Sequence, residues 1–142
     1  MADAFNPSGV WQPFGAFSMV ALQGDGQTVH LKGQVALDAQ GRLVGKGDMA
    51  AQVEKTLENI QAVLAAVGGE MGDVIALTHY TTDIDAFMAC GARRKRFFAE
   101  PYPVTTTLEV QRLYDPEVLI EITALAEVPR DRFRRSDQAV PA

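Results

Sequence analysis

Residues 48–80 read DMAAQVEKTLENIQAVLAAVGGEMGDVIALTHY, and their periodicity decides the fold class. Val53, Leu57, Ile60, Leu64 and Val67 recur at spacings of four, three, four and three. That is one stripe of an amphipathic helix. Glu54, Lys55, Glu58 and Gln61 fall on its other side. Asp48 precedes the stripe as an N-cap, a position from which a carboxylate accepts from the first free amides. Gly68 and Gly69 stop it, as glycine just past a helix end does. Residues 74–80, VIALTHY, then supply the β-branched and aromatic side chains of a strand. A capped helix feeding a strand predicts helix packed on sheet.

Working outward, residues 17–22 are an apolar strand candidate that ends in the turn Gln23-Gly24-Asp25-Gly26. Residues 28–31 resume as a strand and 33–37 continue it, with Gly33 as a bulge or a close backbone approach. On the other side, Asp83 or Asp85 caps a second helix carrying Phe87, Met88, Ala92, Arg96 and Phe97, which Pro101 and Pro103 end. Residues 104–113 and 118–126 are two further strands joined by Tyr114-Asp115-Pro116-Glu117. Residues 1–14 show no sustained period and read as an arm. Residues 129–142 read as a frayed, solvated tail. The expected molecule is one α+β domain, core about 17–128, with a five- to six-stranded mixed sheet packed by two helices. Helix-bearing connections imply some parallel strand pairs.

Composition excludes several function classes. Lys and Arg total 13 against 18 Asp and Glu, a formal charge of −5, which argues against nucleic-acid binding through a broad basic surface. The single cysteine, Cys90, builds neither an intrachain disulfide nor a cysteine-rich zinc site. His30 and His79 lack the spacing of a helical metal pair. No apolar run approaches the roughly 18–20 residues of a membrane span, and the first residues lack the regions of a signal peptide. The expectation is a cytoplasmic protein with no metal.

The ordered short motifs resemble the RidA family, also called YjgF or L-PSP endoribonuclease-like. They are Gly33-Gln34 after a strand, Gln52 with Leu57-Glu58-Asn59-Ile60, and Leu64-Ala65-Ala66-Val67-Gly68 at the helix end. Phe97-Phe98 before Pro103, the run Glu109-Val110-Gln111-Arg112-Leu113, and Ile120-Glu121-Ile122 with Ala124-Leu125-Ala126 complete the set. The resemblance implies a chorismate-mutase-like fold assembled as a homotrimer, with ligand clefts between adjacent subunits. It implies hydrolysis of reactive 2-imino or enamine acids to 2-keto acids and ammonia, with no metal or organic cofactor.

In the deaminating members that the chain resembles, an arginine stands two residues after the proline that here is Pro103. This chain carries Thr105 there. A guanidinium fork holds a carboxylate bidentately, whereas a hydroxyl brings no charge. Activity on ordinary 2-imino acids is therefore in question. Glu121 matches the family glutamate that orients the attacking water, and a carboxyl enclosed by apolar neighbours suits proton transfer. Phe17 stands near a family tyrosine, Lys32 replaces a serine before Gly33, and Gly91 replaces an asparagine. Thr105 and Thr107 share one strand face and Thr106 the other, as a hydroxyl-lined pocket or as plain cross-strand pairing. Arg93, Arg94, Lys95 and Arg96 are a solvated charge run or reach the cleft. Trp11 and Phe14 cover a neighbouring subunit, close a cleft or pack locally.

Three functions follow. The first is a hydrolase on an enamine, imine or related metabolite, with Glu121 directing water and Thr105, Thr107, Phe17, Lys32, Gly33 and Gly91 shaping the site. The second is a non-catalytic metabolite-binding trimer. The third is the endoribonuclease or translation-inhibitor activity of some relatives, to which the acidic charge gives least support.

Overall fold

A computed structural model describes residues 3–135 and 137. The helix read first is α1, Met49–Ala66, and the Asp48 side chain accepts from the Ala51 amide at 3.1 Å. Four members of its apolar stripe, Val53, Leu57, Ile60 and Leu64, are 0–1% exposed, while Val67 is half-buried at the C-cap. Each such side chain contributes about 1.5–3 kcal/mol of burial. Gly68 ends the helix at φ +81°, and the Arg132 carbonyl passes so close that a Cβ at Gly68 would overlap it. Only glycine meets both demands.

The strands are β1 (Asp3–Phe5), β2 (Val20–Leu22), β3 (Gln27–His30), β4 (Val74–Thr81), β5 (Val104–Glu109) and β6 (Ile120–Val128). Six strands form among the described residues, but they divide into a four-stranded sheet in the order β3-β6-β4-β5 and a separate β1-β2 pair. β4 and β5 run parallel, while β6 is antiparallel to both β3 and β4. The parallel pair is joined through two short helices, α2 (Ile84–Met88) and α3 (Gly91–Lys95). Along β6, Ile120, Ile122, Ala124, Ala126 and Val128 are buried in the core with α1, while Glu121, Thr123 and Leu125 on the opposite face stay half-buried. This period of two gives the sheet a core face and an outer face.

Several elements differ from their sequence reading. The arm contains β1, which pairs Asp3, Ala4 and Phe5 with Leu22, Ala21 and Val20. The strand read over 17–22 shrinks to β2, because Phe17 turns into an aromatic cluster instead of pairing. Residues 33–37 do not continue β3: Gln34 makes only an isolated bridge to Ile122. The second helix breaks after Met88, where Gly91, a poor helix residue, opens α3 instead of sitting inside one helix.

The tail is not frayed where it begins. Arg132 makes two hydrogen bonds to the buried Asp73 carboxylate, at 2.8 and 3.0 Å, and a third to the Gly68 carbonyl at 2.9 Å. The Arg134 amide donates to the Val67 carbonyl at 3.1 Å. These bonds fold the segment after β6 back onto the end of α1. The final stretch of the expected tail, 138–142, lies outside the described residues.

Candidate functional site

Two polar side chains of α1 fix the surroundings of the site. Gln52 is fully buried on α1, and its amide donates to the carbonyls of Gly45 and Glu117 at 3.1 and 3.0 Å. Its Oε1 accepts from the Leu119 amide at 2.9 Å. One side chain thus satisfies three backbone groups of two loops that no strand pairs. Asn59, two turns on, donates to the carbonyls of Val35 and Leu37, both at 2.9 Å. It holds the segment after Gly33 in its irregular course.

Beneath the helices, a cavity of about 640 Å³ opens between β4, β5, α3 and the N-terminal arm. Four of the residues singled out from sequence line it: Phe17, Gly91, Thr105 and Thr107. Thr105 and Thr107 are paired with Leu77 and His79 across the β4-β5 register, so both threonines share the core face. His79 is 2% exposed, and its Nδ1 lies 2.8 Å from the Thr107 hydroxyl. Burial, with the charge of Arg94 nearby, lowers the His79 pKa to about 3, so the imidazole is neutral at physiological pH. The Thr107 hydroxyl is thereby committed to a neutral partner. The Thr105 hydroxyl has no intramolecular partner among the described residues and is free for a ligand.

Lys32, Gly33 and Glu121 lie elsewhere. They line a second, more open hollow with Asn59 and Tyr114. Glu121 pairs with Tyr80, on the outer face of the sheet. Gly33 passes against its carboxylate, and a Cβ at Gly33 would overlap Oε2. The close backbone approach read at Gly33 is thus an approach to Glu121. Glu121 is half-buried on the outer face, so no apolar enclosure surrounds it within one subunit. Lys32 is exposed. The predicted residues therefore fall into two groups on opposite faces of one sheet.

Sequence reasoning left two features of the cavity open. Trp11 and Phe14 stack with centroids 6.0 Å apart, and Phe14 meets Phe17 edge-on at 5.2 Å, forming an aromatic wall. Among the four cations of 93–96, Arg93 and Arg96 turn outward to Glu54 at 2.7 and 3.3 Å. Arg94 lines the cavity instead, its Cζ 4.3 Å from the Phe87 ring centroid. A signal existed in the spacing: Phe87, Gly91 and Arg94 stand at i, i+4 and i+7. Cys90 is buried, its thiol donates to the Ala86 carbonyl at 3.3 Å, and burial pushes its pKa up, which makes it an inert thiol.

Among the described residues, no group of three or more His, Cys, Asp or Glu side chains could hold a metal ion, and no helix is long and apolar enough to cross a membrane.

The family model described as Endoribonuclease L-PSP matches residues 10–128. A RutC family protein of Pyrococcus horikoshii is 35% identical over 115 residues, 81% of this chain and 89% of its own. A Salmonella typhimurium protein named 2-iminobutanoate/2-iminopropanoate deaminase is 34% identical over 104 residues, 71% of this chain and 80% of its own. Among solved structures, a Rid family protein of unknown function from Yersinia pestis superimposes with TM-score 0.82 at 33% identity, covering 89% of this chain and 98% of that one. The ordered motifs, the mixed sheet under one long helix, and these likenesses agree: the chain belongs to the Endoribonuclease L-PSP family, the RidA/YjgF proteins.

Proposed function

We propose that the protein is a hydrolytic deaminase acting on a small reactive enamine or imine, in a cleft between neighbouring subunits of a homotrimer. The observation that carries this reading is the division of the site. Thr105, Thr107, Phe17 and Gly91 surround one hollow, while Lys32, Gly33 and Glu121 surround another on the other face of the sheet. One subunit cannot bring both groups to one ligand. A second copy, setting its outer face beside the β5 edge of the first, can. The half-buried outer row of Tyr80, Glu121, Thr123 and Leu125 supports such a contact. The deaminase name of the Salmonella relative supports the reaction class.

The chemistry needs only water as co-reactant. The water oxygen adds to the imine carbon as the C=N π pair moves to nitrogen, which takes up a proton. The tetrahedral adduct then expels ammonia as the C–N bond breaks and a C=O bond forms. The Glu121 carboxylate accepts a hydrogen bond from the water, aims its lone pair, takes its proton and returns it to the departing nitrogen. The free Thr105 hydroxyl supplies a neutral hydrogen bond to the substrate. The presence of threonine at that position favours one competing reading, a trimer that binds a metabolite without converting it. A polyanionic substrate fits less well with a formal charge of −5.

The test generates imines in situ with an amino-acid oxidase and traps the unhydrolysed fraction with semicarbazide. Wild type suppresses trapping, and Glu121→Ala loses at least roughly a hundredfold of that activity while keeping its fold. Light scattering gives about three times the 15.4 kDa chain mass. A monomer, or wild-type and Glu121→Ala proteins that trap equally, overturns the reading. Ligand-dependent thermal stabilisation without turnover points to the binding trimer.

A further inference from the structure

The cavity beneath α3 holds a cation with no counter-ion. Arg94 forms no ion pair among the described residues, although Arg93 and Arg96 on the same short segment are both paired with Glu54. Its Nε is buried without a hydrogen-bond partner. Its guanidinium lies over the Phe87 ring, 4.3 Å from Cζ to centroid, a contact that orients the fork but supplies no hydrogen-bond acceptor. Gly91 leaves room beside it: a Cβ there would lie 4.0 Å from the Arg94 Nη2.

The rest of the cavity makes this cation conspicuous. No Asp or Glu lines it, and Lys95 adds a second positive charge at its margin. The imidazole of His79 is neutral, and the threonines carry no charge. Burial pulls the Arg94 pKa down from its ordinary value and outweighs the opposing effect of Cys90, the mark of a partly desolvated cation. The sequence holds 18 acidic residues, and among the described residues none forms an ion pair with Arg94. An unpaired, partly buried guanidinium is unfavourable unless something anionic arrives. The cavity is also lined by Trp11, Phe14 and Phe17, an aromatic cluster with Trp11 62% and Phe14 78% exposed.

We propose that Arg94 is the anion anchor of this cavity, which takes a small organic carboxylate whose remaining surface is apolar or aromatic. The guanidinium donates two parallel hydrogen bonds to the carboxylate, Thr105 adds a neutral donor beside it, and the aromatic wall covers the apolar part. The charge that Thr105 fails to supply from β5 is supplied from α3. As the ligand class of the deaminase cleft, the assignment rests on the function proposed above; as an equilibrium binding site, it is tested separately.

The test is calorimetric titration of the full-length protein with benzoate and with benzamide, its uncharged near-isostere. Wild type binds benzoate and discriminates against benzamide by roughly ten- to a hundredfold, the range of a charge-assisted pair. Arg94→Gln loses that discrimination, and Arg94→Lys, which keeps charge without the fork, retains part of it. Equal affinity of wild type for the two probes, or no benzoate binding by wild type, overturns the assignment whatever the variants do. So does an Arg94→Gln protein with unchanged thermal stability that still prefers benzoate. Arg94-dependent benzoate binding without imine hydrolysis leaves the anchor standing and removes only the deaminase reading. Hydrolysis with Arg94-independent binding does the reverse.

Discussion

Gly33→Ala tests whether the backbone aims Glu121. A Cβ at that position overlaps Glu121 Oε2 and lies 3.0 Å from Cδ and 3.1 Å from Cγ, where ordinary contacts begin at 3.4 Å. The clash is with the far end of a flexible side chain, so the backbone need not move. Rotation of the Glu121 side chain relieves it and carries the carboxylate about 1 Å or more from its present place. Removing a glycine also lowers the entropy of the unfolded chain by the equivalent of about 0.4–1 kcal/mol, which offsets the cost of the new rotamer. Thermal stability should therefore change by less than about 1 kcal/mol. Turnover in the imine-trapping assay should fall roughly a hundredfold, the effect of misplacing a reacting group by about 1 Å. The control is Gly33→Ala in a Glu121→Ala background, where no carboxylate remains to displace and the substitution should add nothing. Full turnover with an intact fold would refute the idea that this contact aims the carboxylate. An equal loss in both backgrounds would place the effect in the loop instead.

Two further predictions concern the frame around the site. Gln52→Leu keeps the volume of a fully buried side chain but strands the Glu117 carbonyl and the Leu119 amide, while the Gly45 carbonyl keeps only the Asp48 amide. The expected loss is about 2–5 kcal/mol, or roughly 6 °C or more in Tm for a chain of this size; a loss under about 1 kcal/mol in denaturant titration would show that water replaces the lost bonds. At the far end of α1, burial raises the Asp73 pKa, hydrogen bonds from Arg132 and the Glu70 amide are among the contributions that lower it, and the net value lies below the usual one. A depressed folded-state pKa stabilises the fold above the unfolded pKa, about 3.9, and this contribution is lost as pH falls through the folded value. Asp73→Asn should therefore be less stable than wild type at pH 7, with the gap closing below about pH 4; a gap independent of pH in acid titrations of Tm would mean the carboxylate charge contributes nothing.

The parts of this architecture that could be read from sequence are those where local and tertiary demands agree. In α1 the cap, the stripe and the stop all coincide with what the sheet needs, so pattern alone locates it within a residue or two. β4 is legible for the same reason. Residues 33–37 mislead because their alternating composition suits a strand, yet the Val35 carbonyl is shared by Asn59 and the Leu37 amide, and Asn59 also takes the Leu37 carbonyl. β1 carries only three residues and no period; it exists because β2 offers an edge. At the site, resemblance named Glu121 and Thr105 but could not show that an unpaired arginine faces the same cavity as Thr105. That fact depends on Glu54, forty residues away in sequence, turning Arg93 and Arg96 outward while Arg94 remains over Phe87.

The division of the site follows from strand parity. Across β4, His79 is paired with Thr107 on one side and Ile122 on the other, and this row faces α1 and the core. One residue on, Tyr80 is paired with Leu108 and Glu121, and this row faces outward. Side chains alternate strictly along a strand, so with this register Thr105 and Thr107 share the face of His79, and Glu121 must lie on the other. No rotamer change within one subunit unites them, because the sheet itself stands between. A one-residue slip could, but it would expose the buried row of Ile120, Ile122, Ala124 and Ala126. The same alternation that packs the core against α1 therefore keeps the acid and the hydroxyls apart within a subunit. If both act on one substrate, the acid must come from a neighbouring copy.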